Sequence, residues 1–465
     1  MSSSTREIDG AAAGANAFVP PDSSPRLWTK GFIAILITQF MVALNDNLFR
    51  WLIIPIGKYA VGWSDNPDKV RSIGAVVFLL PFLLLTAYAG FFCDRCDRRK
   101  VIIACKIAEV IIIVMGIFGI LAQSVPFMLV VLCLLGAQSA FFSPAKYSSL
   151  PTIVPLARIS EANGYYSLTT LIACVGGQLL GSTLFVMTTL MPDGKPQIGQ
   201  GGLYHWYWWA AALLAVALIG LISSLFIPKM RPCDPQARFP LNPFYQTFAD
   251  LRFLFRERFL FWVAMGSSFF WGLGALAQLN IDKFGDEILC VRQDHIGLLL
   301  VALSLGLGFG AMLAGKLSRG RVELGMVPIG AFFIIVFSVV LGLTPHASAG
   351  ENAYASLDSF PFIYGTLGLL LLGTSSGMFD IPLLATLQTK SPETHRGRIM
   401  AAYNFYSFGA MALFSVFQGI LADKDSLNLS ANGIWIACAV LTVPVFLFAV
   451  RAFITQTRDF ITHGK

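Results

Sequence analysis

Four polar side chains, Asn45, Asp46, Asn47 and Arg50, stand inside an apolar run, between "GFIAILITQFM" and "LIIPIG". A carboxylate beside amide oxygens can hold a proton or a hard cation, since such ions take oxygen ligands. On a helix, three consecutive residues spread over about 200°. They cannot all face one neighbour, so Asp46 can meet a cavity with one Asn beside it. Arg50 lies one turn further along the same face. It can partly neutralise Asp46 or meet a phosphate. A standing Asp46–Arg50 pair that holds the helix in place is the structural alternative, although buried pairs are weak stabilisers. A carboxylate at mid-membrane depth costs about 2.5–3.5 kcal/mol on insertion scales, which argues for a use.

Further groups recur in other apolar runs. Lys146 lies in "FFSPAKYSSLP". It either snorkels to the interface or attracts an anion, and Pro144 is expected to open the helix where it points. Lys106 and Glu109 are three apart, share one face and can neutralise each other as a structural or gating pair. Asp380 in "SGMFDIPLL" is a second deep carboxylate. Pro382 predicts a broken or kinked helix there, tolerated only against protein or a watery cavity. Gln138, Gln178, Gln278, Asn280 and Asn404 add neutral polar groups, suited to substrate, an ion or interhelical hydrogen bonds. Gly177, Gly181, Gly306, Gly308 and Gly310 read as close-packing surfaces.

These groups need membrane-spanning elements to position them. The 465-residue chain is 56% hydrophobic and 13% charged. Soluble domains run at about 45–50% and about 25%. Repeated apolar runs of about 20 residues indicate an all-α polytopic membrane protein rather than a β-barrel. Twelve spans are expected near 31–56, 72–93, 101–122, 126–147, 163–191, 206–228, 259–281, 295–316, 324–343, 361–387, 399–421 and 433–453. They divide into a six-helix bundle over 31–228, a linker over 229–258 and a second six-helix bundle over 259–453. Residues 1–30 read as a disordered tail without a cleavable signal peptide, and 454–465 as a second tail. The linker segment "FYQTFADLRFLFRERF" suggests a short helix on the inner membrane face; a simple linker with aromatic packing is the alternative.

With both termini inside, the inside segments hold 24 Lys and Arg and the outside ones 7. That bias predicts two cytoplasmic termini and accounts for the net charge of +7 without nucleic acid. Cys93 and Cys96 form a lone CxxC without a second ligand pair, so no metal is expected. No nucleotide fingerprint and no H-x-x-x-x-D pattern occur, so no enzyme activity is expected. No cofactor is expected beyond a coupling ion, Na⁺ or H⁺.

Two six-helix sets with a basic central loop suggest the major facilitator fold. The loop after the second span, "GFFCDRCDRRK", resembles that superfamily's G-x-x-x-D-R-x-G-R-R-K signature. Gly90, Asp94, Arg95, Arg98, Arg99 and Lys100 match, while Asp97 replaces Gly. Asp94 is expected to pair with basic residues from a neighbouring helix end and so latch one conformation. After the eighth span, "GKLSRGRVE" echoes the loop through Gly315, Arg319 and Arg321, with Arg319 where Asp94 would fall.

More specific words are "NDNLFR", "AFFSPAKYSSLP" followed by "EANG", "SSFFWGLGALAQ" and "MFDIPLLATLQ". They resemble the bacterial lysophospholipid transporter family. They are equally similar to the major-facilitator domain of fused acyltransferase–acyl-ACP synthetase proteins. The resemblance implies import or flipping of lysophospholipid in the bacterial cytoplasmic membrane. It implies membrane lipids as partners, with an acyltransferase or acyl-ACP synthetase as a separate chain. It also implies a transport and cation-coupling role for Asp46, and carries the family's helix 4 Lys to Lys146. One departure stands out: the family's helix 7 Arg is Gln278 here. A proton-coupled exporter of drugs or amphiphiles is the alternative within transport. A membrane scaffold or lipid sensor is the alternative outside it, though a scaffold has no need of deep polar groups.

Overall fold

The computed structural model describes residues 27–59, 77–122, 124–188, 207–236, 239–291, 293–318, 324–348, 355–422 and 427–463. Most of the expected N-terminal tail, together with Arg319 and Arg321, lies outside them. The first bundle comprises α1 (Lys30–Tyr59), α2 (Val77–Leu84), α3 (Thr86–Arg95), α4 (Arg98–Leu121), α5 (Val125–Ile153), α6 (Ile159–Thr188) and α7 (Tyr207–Leu225). Then α8 (Pro243–Arg256) crosses to the second bundle. That bundle comprises α9 (Arg258–Glu287), α10 (Gln293–Leu317), α11 (Met326–Gly342), α12 (Phe360–Lys390), α13 (Arg396–Ala422) and α14 (Ala431–His463).

The helices α2 and α3 are arms of one span, bent by 56°. The bend lies at Leu85, whose φ of −101° and ψ of 3° leave the helical region. Among the described residues, nine helices are long and apolar enough to cross a membrane, or ten with the bent pair. The 30-residue α6 and the 17-residue apolar α11 fill the two remaining places. The result is an all-α membrane protein of twelve transmembrane helices in two bundles of six. Its α14 continues to His463, through most of the segment expected as a tail.

The break expected at Pro382 does not occur. Instead α12 runs unbroken from Phe360 to Lys390, and α5 likewise passes through Pro144 and Pro151. Proline removes one ladder donor. Packing offsets this, because Phe379 through Gln388 are all buried. Upstream, α12 lies so close to α10 that a Cβ at Gly310 would collide with the Thr374 carbonyl.

Each bundle has its own apolar core. One is built around Leu48, Ile113, Leu135 and Leu213, the other around Phe284, Leu299, Leu369 and Trp435. The two bundles therefore meet as packed bodies. They touch through α3 and α5 on α13, and through α6 on α10 and α12. Among the described residues, Asp94, Arg98, Cys233, Asp250 and Arg398 gather at one end, here called the basic end.

Candidate functional site

The polar residues of α1 radiate toward four different helices. Asn45 Nδ2 donates to Glu109 Oε1 on α4 at 2.9 Å. Asp46 Oδ2 accepts from Ser139 Oγ on α5 at 2.9 Å. Asn47 Nδ2 donates to the Ala43 carbonyl at 2.8 Å and meets Cys174 Sγ on α6 at 3.3 Å. The Arg50 guanidinium lies over the Phe78 ring on α2, 4.5 Å from its centroid. Among the described residues, no ion pair joins Asp46 and Arg50 in this structure. Asn45 Oδ1, Asp46 Oδ1, Arg50 Nε and Gln138 Nε2 are buried and have no hydrogen-bond partner among the described residues. Burial without partners is costly, so this cluster is polar beyond what packing needs.

Lys106 and Glu109 form a fully buried ion pair that also receives Asn45. A Cβ at Gly220 on α7 would collide with Lys106 Nζ, so the glycine makes room for the ammonium. This triad ties α1, α4 and α7 together inside the first bundle.

Lys146 is buried, with Nζ donating to Gln39 Oε1 at 2.8 Å. Gln39 Nε2 passes on to Thr170 Oγ1 on α6 at 3.0 Å. The ammonium also lies 4.6 Å from the Tyr147 ring centroid. No carboxylate pairs with it among the described residues. The full burial argues against simple snorkelling.

In the second bundle, Asp380 Oδ1 accepts from Ser267 Oγ. Ser267 Oγ also lies 3.0 Å from the Tyr403 hydroxyl, which accepts from Trp271 Nε1 at 3.0 Å. Each bundle thus holds one deep carboxylate–serine pair between its first and fourth helices, with the roles exchanged. In the first bundle the acid is on α1; in the second it is on α12. Gln278 is exposed, on the α9 face that carries Ser267 and Trp271. Gln178 is half-buried on α6. Asn404 Nδ2 donates to Ser143 Oγ on α5 at 2.9 Å, a bond between bundles.

At the basic end, Asp94 joins the two bundles. Asp94 accepts backbone hydrogen bonds from Gly397 (2.7 Å) and Arg398 (3.0 Å), at the N-terminus of α13. Asp94 thus meets a neighbouring helix end that includes the basic Arg398, but through backbone rather than side chain: the carboxylate takes the unsatisfied N–H groups and positive pole of a helix start. A Cβ at Gly397 would stand 2.6 Å from Asp94 Oδ1. A Cβ at Gly90 would stand 3.0 Å from Arg398 Cα, so the glycine allows close approach. Arg98 donates to the Ser148 carbonyl (2.9 Å) and meets Cys233 Sγ (2.6 Å). Arg99 donates to the Leu225 carbonyl at 2.7 Å. Arg95 lies over Phe91, and Lys100 is exposed. Asp97 caps α4 through the Arg99 N–H (2.9 Å) and also accepts from the Met230 N–H (3.1 Å).

At the α6–α12 contact, Asn163 on α6 and Gln388 on α12 exchange amide hydrogen bonds of 2.7 and 3.2 Å. Sequence reasoning passed over this pair, and over Gln39, Ser139, Ser267 and Tyr403. Their signal was a hydroxyl or amide within a span. Asp250 was also missed, a single acid in an aromatic and basic segment. It receives the Arg398 guanidinium. Burial raises its carboxyl above the ordinary range, and Arg398 opposes that rise.

A sequence model of the Major Facilitator Superfamily matches residues 35–415. The chain belongs to the major facilitator superfamily. Among curated relatives, the lysophospholipid transporter LplT of Klebsiella pneumoniae (strain 342) is 25% identical over 398 residues, covering 84% of this chain and 88% of its own length. LplT of Photorhabdus laumondii is 26% identical over 373 residues, covering 79% and 82%. Among solved structures, the transporter FucP in the outward conformation superposes with a TM-score of 0.69 at 13% identity, covering 91% of this chain and 99% of that one. The human organic anion transporter MFSD10 gives 0.70 at 14%, covering 92% and 100%. At these identities the likeness establishes the fold. This major facilitator protein is a membrane transporter and not an enzyme.

Proposed function

We propose that this chain moves lysophospholipid, or a similar single-chain amphiphile, between membrane leaflets by cation-coupled alternating access. The observation that carries the reading is two charges on the inner helices of the first bundle, Lys146 and Asp46, that lack an ion-pair partner among the described residues. Lys146 has no carboxylate partner among the described residues, and Asp46 keeps one oxygen unbonded. A buried ammonium suits a headgroup phosphate. A buried carboxylate with a spare oxygen suits Na⁺ or H⁺. The names of the LplT relatives support the same substrate class.

The headgroup would ride between Asp46 and Lys146, within reach of Gln138, while the acyl chain stays against apolar surface between the bundles. Outer α13 offers such surface, with Leu413 and Val416 exposed and open space beside Gly409. Asp94, Asn163, Gln388 and Asn404 bond across the two bundles, and in this reading the contacts of Asp94, Asn163 and Gln388 would hold the basic end closed. Substrate release there requires those contacts to part. Both termini would lie in the cytoplasm, on the charge bias of the loops. A separate acyltransferase or acyl-ACP synthetase would consume the delivered lipid.

The test is uptake of labelled lysophospholipid by purified protein in liposomes, scanned over headgroups and over imposed Na⁺ and H⁺ gradients. Gradient-driven uptake that Asp46→Asn uncouples is expected. Efflux of cationic dyes without lysolipid uptake would favour the exporter. Lipid binding without turnover would favour the scaffold.

A further inference from the structure

The linker helix α8 has two faces of opposite character. One face points away from the protein and exposes Phe244, Tyr245, Phe248, Arg252, Phe255 and Arg256. It carries four aromatic rings, two arginines and no acid. The other face buries Thr247, Asp250 and Leu254 against the bundles. Asn242 caps the helix start through the Tyr245 N–H at 3.0 Å.

The buried face reaches the latch. Asp250 Oδ1 accepts from Arg398 Nε at 2.8 Å and from Gln246 Nε2 at 2.7 Å. The Phe253 ring stacks on His395, 5.2 Å between centroids. Arg398 therefore serves two partners: its backbone N–H goes to Asp94 of the first bundle, and its guanidinium to Asp250 of the linker. Just before α8, Phe239 packs against Tyr88 and Phe91 of α3. The linker thus bridges both bundles beside their closed junction.

We infer that α8 is a lipid-responsive clamp: its aromatic and arginine face docks on anionic headgroups of the adjacent leaflet, and this docking holds Asp250 and Phe253 on the start of α13. Two features identify the occupant as a bilayer surface. One residue, Glu257, separates α8 from the membrane span α9, and residues 226–242 join it to the span α7, so α8 lies at the membrane boundary. Aromatic rings interleaved with arginines fit the interfacial zone of an anionic leaflet, where rings sit at headgroup depth and guanidinium groups meet phosphates. More anionic lipid then favours the conformation closed at the basic end. The inference is independent of which amphiphile the protein carries.

Hydrogen exchange of the full chain in nanodiscs tests it. The probes are discs of phosphatidylcholine alone and discs with about one-third phosphatidylglycerol. In the unmodified protein, phosphatidylglycerol is expected to slow exchange in 243–256 and at the first amides of α13 on the order of tenfold, given two arginines at a charged surface. The combined Arg252→Gln, Arg256→Gln variant is expected to lose the lipid effect at both places. Asp250→Asn is expected to keep it in α8 and lose it in α13. Equal exchange of α8 in both discs would overturn the inference, and would leave the face to a protein partner. A lipid effect confined to α8 would also overturn it, because docking would then not reach the latch. The comparison of two lipids on the unmodified chain needs no variant to fold.

Discussion

The Asp94 carboxylate lies 2.7 Å from the backbone nitrogen of Gly397, across the junction between the two bundles. Two N–H groups of a helix start converge on one acid, and the loss of charge-assisted bonds of this kind costs about 1.5–3 kcal/mol. Asp94→Asn is therefore expected to shift the equilibrium toward opening at the basic end by roughly one to two powers of ten. Gly397→Ala should act similarly, because its methyl would press on Asp94 Oδ1. Accessibility of a reporter cysteine near the junction measures the shift. Unchanged accessibility in both variants would remove this contact from gating.

The Lys106–Glu109 pair predicts a stability effect with a diagnostic rescue. Both side chains are fully buried, and Asn45 completes the network. Lys106→Met leaves Glu109 charged and uncompensated, which costs about 3–5 kcal/mol. Adding Glu109→Gln removes the orphaned charge and should restore most of the loss. Thermal unfolding in detergent reads both steps. A double variant no more stable than the single would show that the pair is not an isolated electrostatic unit.

The two carboxylate–serine pairs should separate by function. Ser139→Ala strips Asp46 of its hydrogen bond, while Ser267→Ala strips Asp380 of its own. If Asp46 carries the coupling ion, Ser139→Ala should change the apparent ion affinity about tenfold, the size of a charged hydrogen bond. Ser267→Ala should leave that affinity alone and alter substrate affinity instead. Transport rate against Na⁺ or H⁺ concentration distinguishes them. Equal effects on the ion curve would assign coupling to both acids.

The course of the spans was legible because hydropathy and charge bias are summed over many residues. The polar partners were not. Which hydroxyl meets Asp46 depends on how α5 is rotated, and Ser139 reads as any small residue in a span. Asp94 was legible as the partner of a neighbouring helix end, but its donors were not: helix geometry offers it the bare backbone N–H groups of Gly397 and Arg398. Pro382 misled because its local cost is visible in sequence while the packing that offsets it is not. Asp97, where the signature has Gly, became intelligible only as the cap of α4.

Gln278 gives the sharpest prediction about substrate choice. It stands seven residues beyond Trp271 and eleven beyond Ser267 on α9. At about 100° per residue those positions agree to within about 20° of rotation. Ser267 and Trp271 both meet the Tyr403 hydroxyl, so their face looks toward the deep acid of the second bundle. Gln278 is exposed on that face, and an open space adjoins Gly274 one turn away. A long side chain is thus accommodated without repacking. Gln278→Arg would add a cation to the second bundle, where the proposed route faces Lys146 and Arg50 of the first, neither of which has an ion-pair partner among the described residues. Both lipids carry a phosphate that can take a charge-assisted bond, but the lysophosphatidylcholine headgroup also carries an ammonium that a second cation repels, so affinity for lysophosphatidylglycerol should rise about tenfold relative to lysophosphatidylcholine. Gln278→Leu should leave the ratio unchanged. Competition binding with the two lipids in detergent gives the ratio directly, and an unchanged ratio in the Arg variant would place Gln278 off the route of the headgroup.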